Sequence, residues 1–585
     1  MFLLRYIFLL LLFAGLLSCN PASKTTSPKP VQGPTGQKGK KQLSEEELIN
    51  LKYLFVNANK EKILGNKDKA AELFAQCIRI DGSNHAAMYE LASIYADDKK
   101  INDALFFVKS AHQIDPSNTW YRLFYAELLM AARKSNEGEA VYAGLFKEYP
   151  HNVDYAFKYA SALLYNGKIT EAIKVYDKVE QEIGVNADLI IEKERLWLRL
   201  GKVDKAADEI ERLIAKDPAE IKNYSLLVEL YQVNNMPEKA LETINRMQQI
   251  DSTSPYVYLA LAEYYRSTNQ KEKSFEQLKL AFASRELEQE LKVKIISSYM
   301  PLVQGNPEML DQALTLSKIM ADTHPNDAVS LAIYGDFLTL DEKYEAARDQ
   351  YLASLALDNK NLTVWQQLMI SQSQLSDMKG MLASSEEALT LFPDQSVFYL
   401  FNGIALTDAK RHEDAIKSLM AGSKLVVDNE EQLKEFYIRL ADNYNTLKQF
   451  NESDEAFEKA LKIDPRNPLV LNNYAYYLSV RNEKLEKAES MSKLSNEIRP
   501  GEPSYEDTYG WILYMMGNYT EAKLWLQKAI DHGGANNGTI LEHMGDVMFR
   551  LGDANSANDY WKRAKDAGDA SEQIDSKIRD KKLND

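Results

Sequence analysis

The residues that could carry chemistry in this chain are few and widely separated. Histidine and cysteine are common nucleophiles, general bases and transition-metal ligands in proteins. The nearest two histidines, His532 and His543, have no cysteine or third histidine beside them at metal-ligand spacing. The other five lie far apart: His85, His112, His151, His324 and His412. No HExxH, GxSxG, GxGxxG or Walker pattern occurs, so the residues predict a protein that is not an enzyme and holds no metal or cofactor.

Acidic runs and glycine-rich stretches have simpler structural interpretations. Glu45-Glu46-Glu47 and Glu430-Glu431 suit helix N-termini, where the helix dipole favours negative charge. The stretch DHGGANNG at 531–538 is typical of a connector between helices rather than of a phosphate site. GPTGQKGK at 33–40 lacks both the preceding strand and the glycine spacing of a phosphate loop.

The composition indicates a folded, almost wholly helical chain that avoids nucleic acid. Apolar residues make up 45% and charged residues 27%, with only 25 Gly and 17 Pro in 585 residues. The formal net charge of −16 repels nucleic acid and anionic lipid surfaces, apart from one lysine-rich stretch at 38–41. The two cysteines cannot supply a disulfide framework, and Cys77 falls in a helical apolar pattern that predicts core packing.

The first nineteen residues, MFLLRYIFLLLLFAGLLSC, predict a segment that directs the chain to a membrane. Arg5 precedes an apolar run at 6–17, which is short for a transmembrane helix and suits the core of a signal peptide. The segment ends Leu16-Leu17-Ser18-Cys19, which resembles the bacterial lipobox.

This resemblance implies a lipoprotein signal peptide at 1–18, cleaved just before a diacylglycerol-modified Cys19. Several acyl chains on one residue would anchor the protein stably in a membrane. An ordinary signal peptide and an uncleaved anchor remain the alternatives. Asn20 stands where an inner-membrane retention signal would have Asp, and the resemblance therefore favours the outer membrane, with the periplasmic or surface face open. Residues 19–43 are rich in Pro, Gly, Ser, Thr and Lys, which predicts a flexible linker behind the lipidated cysteine.

A period of 34 residues runs along the rest of the chain. Ala70, Ala104, Ala172, Ala206 and Ala240 lie one or two periods apart, and prolines 116, 150 and 218 keep the same frame. Each period contains a small residue in a first helix, a Gly or Asn turn, an Ala in a second helix and an Asp-Pro-like end. This pattern resembles the tetratricopeptide repeat (TPR). The resemblance implies an all-α fold, a right-handed superhelical solenoid of TPR-type helix-turn-helix repeats.

The repeats divide the chain into two blocks. A first TPR array is predicted over 44–288 and a second over 328–571, with a polar C-terminal tail at 572–585. Between the blocks, 289–327 keeps helical patterning, but Pro301 and the Gly305-Asn306-Pro307 cluster interrupt it. That segment is predicted to be a degenerate repeat or a hinge.

In this family the first helix of each repeat lines the inner, ligand-binding surface. Some members capture acidic C-terminal tails with Lys at repeat position 5 and Asn at position 9, and those two residues never coincide here. The same frame places aromatic residues flanked by carboxylates on the inner face of the last three repeats, which suits an apolar or basic peptide. The predicted partner-binding residues are Asn472, Tyr476, Asp507, Trp511, Tyr514, Glu542, Asp546 and Phe549. Trp511 and Tyr514 could equally pack only between neighbouring helices.

The sequence therefore predicts a non-enzymatic scaffold that binds protein partners and is held to a membrane by N-terminal acyl chains. No nucleic acid or small-molecule substrate is expected. The C-terminal segments resemble those of TPR lipoproteins from Bacteroidetes-type Gram-negative bacteria. Some of these belong to outer-membrane assembly or secretion machines, which is the role the resemblance implies. The alternative is a periplasmic, chaperone-like holder of exported client proteins.

Overall fold

The computed structural model describes residues 43–583. The predicted signal peptide at 1–18, the acylation of Cys19 and nearly all of the linker lie outside the described residues. Within 43–583 the chain forms 31 α-helices and two short 3-10 helices, with no β-strand. The all-α fold is therefore confirmed. No helix in this part of the chain is long and apolar enough to cross a bilayer.

The described part of the chain forms two compact units, and the first ends at residue 289. Its helices pack in consecutive pairs, and each pair packs on the next. They are α1 (Glu45–Ile63), α2 (Lys67–Ile80), α3 (His85–Asp97), α4 (Ile101–Ile114), α5 (Thr119–Ala131), α6 (Ser135–Glu148), α7 (Val153–Tyr165), α8 (Ile169–Ile183), α9 (Ala187–Arg199), α10 (Val203–Lys216), α11 (Ile221–Val233), α12 (Pro237–Ile250), α13 (Pro255–Ser267) and α14 (Lys271–Ala283).

The second unit comprises residues 290–585 and repeats the same pairing. Its helices are α15 (Gln289–Ser297), α16 (Pro307–Thr323), α17 (Ala328–Leu340), α18 (Tyr344–Leu357), α19 (Leu362–Gln374), α20 (Met378–Leu391), α21 (Ser396–Asp408), α22 (His412–Ser423), α23 (Glu430–Thr446), α24 (Phe450–Ile463), α25 (Pro468–Val480), α26 (Leu485–Ile498), α27 (Pro503–Met515), α28 (Tyr519–Asp531), α29 (Gly538–Arg550), α30 (Ala554–Ala567) and α31 (Ile574–Asp580).

Four first helices of the first unit begin at an asparagine cap, and these caps keep the 34-residue period. Asn84, Asn118, Asn152 and Asn186 each accept backbone N–H bonds from the first turn of the helix that follows. Such a cap satisfies donors that the helix leaves unpaired, and replacing one by Ala costs about 1 kcal/mol. The caps therefore help to determine where these four helices start.

The turn inside each pair of the first unit contains one residue in the left-handed region. These residues also recur every 34 positions, at Gly65, Lys99, Arg133, Gly167, Gly201, Asn235 and Asn269. The left-handed conformation ends the first helix and reverses the chain. Gly or Asn was expected here, and Lys99 and Arg133 adopt it despite their side chains.

Small residues let the two helices of a pair approach each other. The five periodic alanines named above are all fully buried. In the second unit, a Cβ on Gly335 would lie 2.6 Å from the Tyr351 ring, and one on Gly545 would lie 2.5 Å from the Trp561 ring. Both contacts join residues 16 positions apart, across a single helix pair.

The segment 289–327 begins the second unit and has an irregular first half. Helix α15 is only nine residues long and is followed by a 3-10 turn at Met300–Leu302. Proline cannot donate to the preceding turn, so Pro301 and Pro307 prevent one continuous helix here. Lys292 is fully buried in α15, 2.8 Å from Nε2 of His324, and burial lowers the pKa of its amine to about 8. Whether this segment is a degenerate repeat or a hinge stays a prediction.

Candidate functional site

The first helices of the last three pairs, α25, α27 and α29, pack side by side in the second unit. A cavity of about 500 Å³ lies among them, and the loop before α29 closes one side. The residues that line it include Asn472, Asn473, Tyr476 and Tyr477 of α25, Asp507 and Thr508 of α27, and Gly533, Gly534 and Asn537 of the loop. Three of the eight predicted binding residues, Asn472, Tyr476 and Asp507, therefore line one cavity.

The walls of this cavity are polar and aromatic and contain no cation. Glu502 and Asp507 are the acidic residues among those that line it, and neither Lys nor Arg is among them. Amides, hydroxyls and tyrosine rings make up most of the remainder. Such a surface suits a ligand with hydrogen-bonding groups and a neutral or positive charge.

Asn472 presents an unsatisfied group at this cavity. Its side chain is 7% exposed and its Nδ2 donates to Oδ1 of Asn473 at 3.4 Å, but its own Oδ1 is buried and receives no hydrogen bond from the described residues. A buried acceptor without a donor costs about 1 to 3 kcal/mol.

Beside the cavity, three aromatic rings form a stack. The Trp511 ring lies 4.7 Å from Tyr514 and 4.1 Å from His543, centroid to centroid, with interplanar angles of 16° and 19°. Trp511 is half-buried, and its buried Nε1–H has no acceptor among the described residues. The Tyr514 hydroxyl accepts a hydrogen bond from Nε of Arg550 at 3.3 Å. Trp511 of α27 therefore packs against His543 of α29, as the packing alternative predicted. The indole N–H of Trp511 makes no hydrogen bond to the described residues.

The carboxylates of Asp507, Glu542 and Asp546, which were predicted to flank the aromatic residues of the inner face, are all buried. Each is satisfied by a partner from another helix. His543 lies 2.9 Å from Asp507, while the amine of Lys577 lies 2.8 Å from Glu542 and 2.7 Å from Asp546. Burial without such partners would be strongly unfavourable.

Further contacts tie Glu542 and Asp546 into the fold. Asp546 accepts from the indole N–H of Trp561 at 2.8 Å, and Glu542 accepts from the backbone N–H of Ser571 at 2.7 Å. Phe549 packs against Trp561 with ring centroids 5.8 Å apart. These three predicted binding residues hold the C-terminal pair and α31 together.

The charges of this buried network depend on one another. Burial alone would lower the pKa of Lys577, but the adjacent carboxylates of Asp546 and Glu542 raise it. Burial alone would also lower the pKa of His543, but Asp507 outweighs that effect and raises it. The network is therefore a set of buried ion pairs in which both cations are stabilised.

A second, smaller cavity of about 230 Å³ lies on the first helices α21 and α23. Asp408, Arg439 and Asp442 are among its lining residues, and Arg439 pairs with Glu435 at 2.7 Å. Burial raises the pKa of Asp442 to about 6. The hydroxyl of Tyr477, which lines the larger cavity, donates to Asp442 at 3.2 Å, so this hydrogen bond links the walls of the two cavities.

Several of these residues were not predicted from the sequence. His543, Lys577 and the cavity-lining loop at 533–537 were assigned no binding or pairing role. The loop could have been found from its position, because it directly precedes the inner helix α29. The burial of Lys577 has no local signal, since its partners lie about 30 residues away.

Metal and thiol chemistry find little support among residues 43–583. No group of three or more histidine, cysteine or acidic side chains in this range is arranged to hold a metal ion. Cys77 is a free thiol, fully buried as expected, and burial raises its pKa to about 11. A protonated, inaccessible thiol is a poor nucleophile.

Sequence comparison shows that the chain contains tetratricopeptide repeats. Residues 126–185, 434–467 and 456–490 match models of this repeat. A TPR repeat-containing protein of Pseudomonas aeruginosa is 27% identical over 157 residues, which are 26% of this chain and 25% of that protein. The chain thus spans about a quarter of the length of that relative. The predicted repeats are confirmed and support a protein–protein interaction scaffold, whereas the lipoprotein and Bacteroidetes-type assignments stay predictions.

Solved structures with a similar path of the chain have low identity. The Cut9–Hcn1 hetero-tetramer of the APC/C aligns over 86% of this chain and 96% of that chain, at 10% identity and a TM-score of 0.37. Naa15/Naa10 bound to HypK aligns over 92% of each chain, at 11% identity and a TM-score of 0.38. Yeast Tom70 aligns over 85% of this chain and 94% of that chain, at 15% identity and a TM-score of 0.30. Likeness at this level does not extend to function.

Proposed function

We propose that this protein is a non-enzymatic scaffold, anchored through acylated Cys19 in a bacterial cell envelope, that holds a segment of a partner protein. The repeats support the scaffold, and the sequence of the first nineteen residues supports the anchor. An outer-membrane complex for assembly or secretion is the setting that we propose, on the resemblance of the C-terminal segments alone.

The observation that carries the binding role is the unsatisfied polar character of the cavity among α25, α27 and α29. Asn472 lines this cavity and its buried Oδ1 lacks a donor, while Trp511 lies in the stack beside the cavity and its buried Nε1 lacks an acceptor among the described residues. An extended peptide offers hydrogen-bonding groups along its backbone to the amides and hydroxyls of the cavity walls, and its side chains can stack on the aromatic rings. Glu502, and Asp442 in the neighbouring cavity, favour a basic segment over an acidic one.

The size and polarity of this cavity favour a discrete partner over many clients. A chaperone-like holder needs a broad apolar groove, because unrelated clients share only their exposed apolar surface. Here the walls are mainly amides, hydroxyls and tyrosines, and the volume is about 500 Å³. Crosslinking of intact cells followed by mass spectrometry separates the two functions. One stoichiometric partner agrees with a scaffold, and many substoichiometric clients would support the holder instead.

Two variants test the binding surface once a partner has been recovered. Trp511→Ala with Tyr514→Ala removes the stack, and Ser504→Arg places a cation at an exposed position of the cavity wall. We expect each to raise the dissociation constant for a basic partner segment at least tenfold, measured by titration calorimetry. Circular dichroism checks that both variants remain folded.

Trp120→Ala with Tyr165→Ala is the matched control, since both aromatics are more than 60% exposed and lie in the first unit. This control should bind like the wild type. Unchanged binding by both folded cavity variants would show that the partner docks elsewhere. The anchor has a separate test, labelling with a fatty-acid analogue in the wild type and in Cys19→Ala. Equal labelling of the two would refute acylation at Cys19.

A further inference from the structure

The N-terminal end of the first unit has an apolar face that no described residue covers. Ile49, Tyr53, Val56 and Ile63 are 65, 68, 66 and 86% exposed. Intervals of four, three and seven residues place them on one side of α1. Exposed apolar residues are normal singly, but four in one stripe on a terminal helix mark a contact surface.

The repeat frame shows why Tyr53 is exposed. The residues at successive intervals of 34 after Tyr53 are Ala87, Tyr121, Tyr155, Leu189, Asn223 and Val257. Four of them are buried, and Tyr155 and Asn223 are partly buried. They belong to first helices that have a preceding helix pair to pack against. Helix α1 has no preceding pair among the described residues, so Tyr53 is more exposed than any of its equivalents.

The opposite end of the array is closed differently. Helix α31 packs on α30 and buries Ile574 and Lys577. Repeat arrays need such end elements with a polar outer side to stay in solution. The exposed apolar stripe of α1 departs from this pattern of polar end elements. We therefore expect another molecule or surface to cover it.

Two occupants are poorly matched to this face. The chain that directly precedes it, residues 20–42, has only Ala22 and Val31 as apolar residues apart from its prolines, which is too little to cover four large side chains. A second copy would meet it with the same four side chains. A stable interface usually takes about 20 to 30 residues from each partner.

A lipid surface is well matched. Residues 20–42 contain five lysines and no acidic residue, in a chain whose net charge is −16. Such a basic stretch is attracted to anionic headgroups. Lys52 and Lys60 are exposed on the same side of α1 as the apolar stripe, with Glu45 as an acidic residue on that side in the first turn. The two amines can reach headgroups while the apolar side chains enter the interface.

We propose that the Ile49–Tyr53–Val56–Ile63 face of α1 lies on the membrane surface to which the first nineteen residues attach the chain. This inference rests on the proposed attachment. The attachment keeps the face close to lipid, so that a contact too weak to recruit a free protein becomes persistent. The contact would fix the orientation of the first helix pair relative to the bilayer. Attachment through the N-terminal segment alone would leave that orientation free.

The test uses the full-length protein, purified from membranes and reconstituted into phosphatidylethanolamine–phosphatidylglycerol vesicles. An environment-sensitive fluorophore is attached at Val56→Cys or, as the matched control, at Val480→Cys, a valine that is 56% exposed in α25. Buried Cys77 does not compete for the label. We expect brominated acyl chains to quench the label at position 56 at least twofold more than the label at position 480.

Flotation with the vesicles reports attachment independently of quenching. A protein that floats but shows equal quenching at the two positions would overturn the proposed lipid contact and leave the anchor intact. Disulfide crosslinking between Val56→Cys copies, without lipid quenching, would assign the face to a second copy. A protein that does not float would refute both the anchor and the contact. Adding Ile49→Glu and Tyr53→Glu should abolish the quenching at position 56 without preventing flotation.

Discussion

At the scale of single residues, charge in the sequence is a poor guide to exposure. Asp507, Glu542 and Asp546 were predicted as partner-binding residues, yet each is buried against a cation or an imidazole. The partner residues His543 and Lys577 lie between 31 and 36 positions from Asp507 and Asp546. No pattern confined to one helix reveals pairs of that separation. These ion pairs stabilise the fold, since they join successive repeats to each other and to α31.

Lys577→Met tests this role. Removing the amine leaves Glu542 and Asp546 buried without their cation, and breaking a buried ion pair costs about 3 to 5 kcal/mol. Urea unfolding followed by circular dichroism measures the loss. Lys565→Met is the control, because Lys565 pairs with Asp575 at the surface and should be replaceable without measurable loss. Similar losses in the two variants would show that the buried network is not stabilising.

The pH dependence of stability tests His543. Asp507 raises the pKa of His543 in the folded protein above its ordinary value, despite burial. Its contribution is therefore complete below about pH 6.5 and is lost as the pH rises through the folded-state pKa. We expect the difference in the free energy of unfolding between the wild type and His543→Gln to shrink as the pH rises above about 6.5.

His151→Gln serves as the control for the pH series, since His151 is a surface histidine in the first unit. It should leave the slope unchanged. A His543→Gln variant with the wild-type pH slope would contradict the assignment of this part of the slope to His543.

At the scale of helices and turns, the 34-residue period of the sequence predicts most of the secondary structure. The sequence predicted a small residue, a turn and an end in each repeat, and these features depend on neighbours within one period. The caps at Asn84, Asn118, Asn152 and Asn186 keep the same spacing and were overlooked. The turn residues were only partly predicted, because Lys99 and Arg133 take a conformation that their residue types disfavour.

The turns yield a reciprocal pair of variants. Arg133→Gly relieves a non-glycine residue at φ 60° and should stabilise the first unit by roughly 0.5 to 1 kcal/mol. Gly201→Ala introduces that strain at φ 68°, where an added Cβ would meet nothing within 4 Å, and should destabilise it by about 1 kcal/mol. Thermal unfolding followed by circular dichroism compares them. Equal signs for the two changes would contradict the conformational explanation.

Close approach within a pair yields another test. A methyl group at Gly545 would overlap the Trp561 ring, so Gly545→Ala should cost about 1 to 3 kcal/mol. Gly144→Ala is the matched control, because its Cβ would meet only the Arg122 guanidinium at 3.4 Å. Gly144→Ala should be neutral or stabilising, since Ala is the better helix former. Urea midpoints of the two variants give the comparison, and a neutral Gly545→Ala would show that the ring can move aside.

At the scale of the whole molecule, the fold was predictable and the binding surface only in part. A repeat array uses the same helix pair many times, and each pair contacts only its neighbours. The 34-residue period is therefore enough to predict the helices and their pairing. The cavity among α25, α27 and α29 needs three helices and a loop at once, and only Asn472, Tyr476 and Asp507 of the predicted set line it. At α1 and α31 the array has no further repeat to pack against. The 34-residue pattern therefore does not predict which residues or surfaces cover these two ends.

The position of Lys577 also has a consequence for synthesis of the chain on the ribosome. The carboxylates of Glu542 and Asp546 are made some 30 residues before their cation, so α29 and α30 emerge with two acids that cannot yet be neutralised. The two carboxylates gain their ion-pair partner only after residue 577 has left the ribosome tunnel, so the buried network forms after α29 and α30 have been made.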